Sequence, residues 1–232
     1  MPTVPAGGWL LRAPVPEGIF TLSIEAGDVA AAGEHAAFAD RCWPLLLRAV
    51  GDDEEEAGWL RTEVIAQLGA LRQAAAASGL GYLGALAGDQ DGRPALILLG
   101  IAATPQVFPD GIDPASLLSA MVRRQYPGAA VEEFPTAEGV GVGIRRGEET
   151  ALSAAASEGP PLTIAAGISQ ALVPFPEAGL VGTVTGFCCS AQDIDLATVF
   201  IATIAYHLTA VPGSSSRSLP LPTGHEPPET DA

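Results

Sequence analysis

The sequence predicts an α+β fold, a mainly antiparallel β-sheet flanked by helices, in one domain over residues 1–211. Three observations lead there. Short apolar runs come in adjacent pairs around turn residues, the mark of hairpins. Between the pairs lie longer stretches with apolar residues three and four apart, suited to helices that cover a sheet. The regular strand–helix alternation of a parallel nucleotide-binding sheet is missing.

Taken in order, "GWLLRAP" (8–14) and "GIFTLSIE" (18–25) read as two strands joined through the Pro14–Pro16 turn. "DVAAAGEHAAFADRCWPLLLRAV" (28–50) reads as a helix to about Cys42. Pro44 has no N–H and its ring clashes with the carbonyl four residues back, so it is expected to break the helix. Residues 51–79 form the longest predicted helix, with Leu60, Val64, Leu68 and Leu71 on one stripe. The acidic Asp52–Glu56 run meets the positive end of that helix dipole, and Gly79 suits its stop. We expect Trp43 and Trp59 to pack between these helices and the sheet.

"LGYLGALAG" (80–88) and "RPALILLGIAAT" (93–104) flank "DQDG" as the clearest hairpin, the second strand apolar enough to be central. A helix over 113–128 has Asp113 as cap, Pro114 in its first position and Gly128 after it. "AVEEFPT" (130–136) and "GVGVGIRRG" (139–147) read as a strand pair, with Val140, Val142 and Ile144 on one face. Residues 148–161 are polar and small, and read as loop. Strands over 162–176 and 179–189 turn at Pro176–Gly179. The final helix, "AQDIDLATVFIATIAYHLTAV", carries Ile194, Ala197, Ile201, Ile204, Ala205 and Leu208 on one face. Leu196, Val199 and Phe200 are expected to widen that face and bury the helix heavily. Residues 212–232, rich in Ser and Pro without periodicity, read as a disordered tail.

Composition narrows the function classes. The chain of 232 residues is 48% hydrophobic with mean hydropathy +0.30, enough for a sizeable core. Its 27 acidic against 11 basic residues give a net charge of −16, which argues against nucleic acid or an anionic membrane as partner. The longest apolar stretch, residues 196–211, is shorter than the ~20 residues of a membrane span and contains His207. The start of the chain lacks the pattern of a secretory signal, and Cys42, Cys188 and Cys189 form no spaced framework. A cytoplasmic, reducing location is expected.

No catalytic, cofactor-binding or metal-ligating residue is assigned. His35 falls on a predicted surface helix, His207 near the end of a buried one and His225 in the tail, so no ligand cluster forms. Ser190 and Asp193 fit the capping pattern [ST]-x-x-[DE] better than a nucleophile with its base. The glycines of "GVGVGIRRG" do not open a helix as a phosphate loop would; they permit close helix packing or mark bulges. Arg145 and Arg146, with Arg123 and Arg124, are the basic pairs, and surface ion pairing is their expected role. Glu132–Glu133 and Glu148–Glu149 are adjacent in strand or loop and cannot converge locally on a substrate. In "GFCCSAQDID" the two cysteines face opposite sides of a strand, Cys188 with Val184 and Cys189 with Thr185 and Phe187. Both read as small buried residues at a strand end rather than reactive thiols.

The stretch "ISQALVPFPEAGLVGTVTGFCCSAQDIDLATVFIATIAYHLTAV" (168–211) resembles the C-terminal half of Mog1/PsbP-like proteins of the LpqN type. The strand and helix at 93–104 and 113–128 suit the same order, so the likeness spans about residues 80–211. The resemblance implies an α/β/α sandwich and a non-enzymatic binding or accessory protein with a protein partner. Assistance to a secretion apparatus or another multiprotein assembly is the expected setting. It carries over no functional residue, and the region before residue 80 departs from the family pattern. The alternative function is a small-molecule carrier or enzyme with a pocket between helices and sheet. Oligomeric state is left open.

Overall fold

A computed structural model describes residues 1–24, 28–90, 93–152, 162–188 and 190–213. In chain order the elements are β1 (Thr3–Ala6), β2 (Trp9–Arg12), β3 (Phe20–Leu22), α1 (Asp28–Ala49) and α2 (Glu54–Ala77). Next come β4 (Tyr82–Gln90), β5 (Arg93–Pro105), α3 (Pro114–Gln125), β6 (Ala130–Thr136) and β7 (Gly139–Leu152). The chain continues through β8 (Leu162–Phe175), β9 (Leu180–Cys188), α4 (Ile194–Tyr206) and β10 (Thr209–Pro212). A seven-stranded sheet has the order β3-β4-β5-β9-β8-β7-β6, and a three-stranded sheet the order β1-β2-β10. Every pairing is antiparallel, so the α+β class stands as expected.

Alternation along the strands sorts the large sheet into two apolar faces. Leu83 and Ala85 of β4 face α1 and α2, meeting Phe38, Cys42 and Leu68 there. On the same face, further along the sheet, Val142, Val181 and Leu172 lie beneath Ala115 and Leu118 of α3. The opposite face presents Leu99, Ile101, Val173 and Val184 to Ile201, Ile204 and Leu208, with Val4 and Leu11 of the small sheet joining them. β5 lies inside the sheet between β4 and β9, as its unbroken apolar run requires. Gly182 and Gly186 of β9 let the layer above come close. A Cβ on Gly182 would stand 2.6 Å from Leu208 Cδ2, and one on Gly186 3.0 Å from Ile201 Cγ1.

Several expectations need correction. The two early strands exist but do not pair: β2 joins β1 and β10, while β3 pairs with β4 in the other sheet. Neither β1 nor β10 was expected; residues 209–211 read as helix end and Pro212 as the start of the tail. His207 closes α4 instead, and Thr209–Pro212 then pairs along β2, which satisfies its backbone.

Pro44 does not end α1, which runs to Ala49. The apolar stripe crosses the proline, with Phe38, Cys42 and Leu46 in one cluster, so packing outweighs the lost hydrogen bond. Residues 148–152 are strand rather than loop, because β8 reaches back to pair with them, Leu152 opposite Leu162. Trp59 is 59% exposed and Val199 64%, since each lies off its helix's buried stripe; Trp43 is half-buried. Val140 is exposed as well, unlike its face-mates Val142 and Ile144. The tail beyond Gly213 and the loop reading for 153–161 lie outside the described residues.

Candidate functional site

α1 and α2 form a hairpin over one end of the large sheet, and a pocket opens where α1 passes the β4–β5 end. Asp53 caps α2, its side chain accepting from the amides of Glu55 and Glu56. Gly79, at φ 73°, ends the helix as expected. Arg61 Nε donates to Asp40 Oδ1 at 2.7 Å and ties the two helices together. Arg48 near the end of α1 pairs with Asp89 at the end of β4. Between these ties lies a cavity of about 280 Å³. Cys42, Leu45 and Leu46 of α1 form one wall and Val64 of α2 adds to it; Ala87 and Leu96 provide the sheet side. Ser190 and Asp193 stand at the remaining side.

Those two residues belong to the corner between β9 and α4. Ser190 caps the turn Ala191–Asp193, its Oγ accepting from the Gln192 amide at 3.3 Å. Asp193 does not complete the expected capping pair. Its side chain makes no cap hydrogen bond and is only 2% exposed. Both carboxylate oxygens instead receive the guanidinium of Arg93, with Nη1 donating to Oδ2 at 3.0 Å and Nη2 donating to Oδ1. A buried carboxylate held this way needs its charge partner, since burial without one is costly. The partners are a hundred residues apart in sequence, so the capping motif gave no sign of the pair.

Cys188 lies just before this corner, fully buried beside Gly167, to whose carbonyl its thiol donates at 3.2 Å. Burial pushes its pKa up, and the Asp193 carboxylate adds to the shift. It shares a face with Val184, as expected. Cys189 lies outside the described residues. Burial also pushes Cys42 up, to about 11, against the opposing pull of Arg41. Neither described cysteine has the electropositive, accessible surroundings that make a thiol reactive.

The histidines occupy separate places. His35 is not on a surface: with Ala31, Phe38, Ala39 and Cys42 it lies on the buried stripe of α1, 5% exposed. Its Nε2 is buried without a hydrogen-bond partner, and burial, reinforced by the Arg72 charge, lowers its pKa. His207 is exposed at the end of α4 against the Tyr206 ring, centroids 4.8 Å apart; His225 lies outside the described residues. Among the described residues no three His, Cys, Asp or Glu side chains gather as a metal site.

Arg145 and Arg146 turn to opposite faces of the sheet. Arg145 points to the α4 side, 3.4 Å from Asp195 and 3.9 Å from Glu132. Arg146 lies 4.4 Å above the Tyr126 ring, and Arg123 donates to the Val131 carbonyl. Beside Arg145 a cleft of only about 70 Å³ runs between α4 and β6–β8. Glu132 and Glu133 do part to opposite faces, Glu132 toward Arg145 and Glu133 accepting from Ser119 Oγ at 3.3 Å. Gly141 makes room for the Phe134 ring across the strand rather than for a helix, a Cβ there meeting Phe134 Cζ at 2.8 Å.

One helix face stands without a covering layer among the described residues. Val199, Ala202, Thr203 and Tyr206 follow one another on the outward side of α4, with Val199 64% and Tyr206 45% exposed. From Leu196 to Tyr206 the helix contains no charged residue. No described helix is long and apolar enough to cross a membrane.

Fold and sites together define an antiparallel α+β protein with, among the described residues, an open helix face and an apolar pocket. No protein-family model matches the chain, and neither the curated proteins nor the solved structures contain a match.

Proposed function

We propose that this chain is a non-enzymatic binding or accessory protein that recognises a protein partner through the outward face of α4. The observation that carries this reading is the uncharged stripe of Val199, Ala202, Thr203 and Tyr206 on a chain of net charge −16. An acidic chain that keeps a helix face uncharged and partly apolar offers a partner a place to exclude water. The resemblance to Mog1/PsbP-like assembly factors points the same way, and a cytoplasmic role beside a larger assembly, such as a secretion apparatus, accords with it.

The test compares affinity purification of the wild-type chain with a Val199→Glu/Tyr206→Ser variant whose melting temperature is unchanged. The reading expects a reproducible protein partner that the variant loses. An inert monomer with no reproducible partner, or a partner equally retained by the variant, overturns it.

A further inference from the structure

We infer that the pocket between α1, β4 and the β9–α4 corner is a binding site for a small neutral molecule with an apolar body and a single hydroxyl or carbonyl group. This inference is independent of the α4 surface.

Its volume, about 280 Å³, falls just below the roughly 300–1,000 Å³ usual for ligand sites, which limits it to a small molecule. Ligand sites are concave and mostly apolar, and this opening beside the α1–α2 core is lined that way. Two ion pairs border it: Arg48 with Asp89 joins the end of α1 to the end of β4, and Arg61 with Asp40 joins α2 to α1. The α1 wall is the segment around Pro44, where the helix forgoes a backbone hydrogen bond.

Composition of the lining sets the ligand's chemistry. Cys42, Leu45, Leu46, Val64 and Ala87 offer an apolar body only dispersion contacts and release of water. Polarity enters at one side, through Ser190 and Asp193. Asp193 is already neutralised by Arg93 on both oxygens, so a charged ligand group would lie there uncompensated. Ser190 Oγ accepts from Gln192 and, among the described residues, donates to no acceptor, which suits one ligand oxygen.

The experiment titrates 1-octanol, octanoate and octylammonium into the full ¹⁵N-labelled chain and follows backbone amide shifts. Octanol is expected to move the amides of Leu46, Ala87 and Ser190 saturably, and each charged analogue to bind at least tenfold more weakly. Ala87→Leu, which fills the cavity from the sheet, is expected to abolish the response; Val64→Phe, filling from α2, serves if that variant fails to fold. Ser190→Ala should weaken octanol by about three- to tenfold, the worth of one hydrogen bond. Shifts that do not saturate, octanoate or octylammonium binding as well as octanol, or a response that survives filling of the cavity would each overturn the assignment.

Discussion

Removing the two partners of the Arg93–Asp193 pair is predicted to have unequal effects. Asp193 is 2% exposed, whereas the Arg93 side chain is 34% exposed. Arg93→Ala therefore strands a carboxylate that water cannot reach, and loss of one member of such a pair costs about 3–5 kcal/mol. Asp193→Ala leaves a guanidinium that can turn to solvent, so the cost falls toward that of the charge-assisted hydrogen bonds alone, about 1–3 kcal/mol. For a chain of this size each kcal/mol moves the melting temperature by about 2–4 °C. Urea unfolding of both variants, with Arg93→Met/Asp193→Leu as the double replacement, measures the difference. The double variant should be more stable than Arg93→Ala, because it leaves no buried charge. Equal losses for the two single variants, or a larger loss from Asp193→Ala, would refute the argument that the buried side of the pair decides its cost.

Close approach under the small sheet gives a second test. Gly182→Ala pushes a methyl against Leu208, Phe175 and Leu11, all buried, and should cost about 1–3 kcal/mol in denaturant unfolding. Gly88→Ala meets nothing within 4 Å and should stay within about 0.5 kcal/mol of wild type. Cys42 gives an alkaline signature. With a folded pKa raised to about 11 from 9.0, its contribution is complete below pH 9 and is lost as pH rises through 11. The loss is on the order of 3 kcal/mol, and Cys42→Ala should flatten that part of the stability–pH curve. Cys42 and Cys188 should both resist a thiol reagent at neutral pH in the native state, and rapid labelling of either would contradict their burial.

Local signals carried much of the fold. The β4–β5 hairpin was legible because two apolar runs flank a Gly-containing turn, and α3 because Asp113 and Pro114 announce its start. The turn between β8 and β9 and the buried stripe of α4 followed from pattern as well. What escaped depended on distant partners. "TVPA" has little strand character of its own and becomes β1 by lying along β2. Residues 148–152 look like loop until β8 supplies a partner. Pro44 reads as a breaker because the sequence does not show how firmly the stripe on both sides of it is packed. At the candidate pocket the apolar residues of α1 were visible, yet Asp193 looked like a cap, since Arg93 lies a hundred residues upstream. His35 was misplaced for a simpler reason: an alanine-rich helix gives little contrast between its buried and exposed sides.

β2 sits between the first and the last of the described strands, with Arg12 opposite Thr3 on one side and Thr209 on the other. Two strand spacings place β1 and β10 only about 10 Å apart. The four β2–β10 pairs close a loop of nearly the whole chain, so β2 waits for its second neighbour until translation has passed Pro212. The small sheet is then a late clasp, formed across the largest sequence separation of the described strand pairings, and chain entropy makes such closures slow. The same adjacency makes the fold a natural candidate for circular permutation: a short link between residue 213 and residue 3 would turn the slowest contact into a local one.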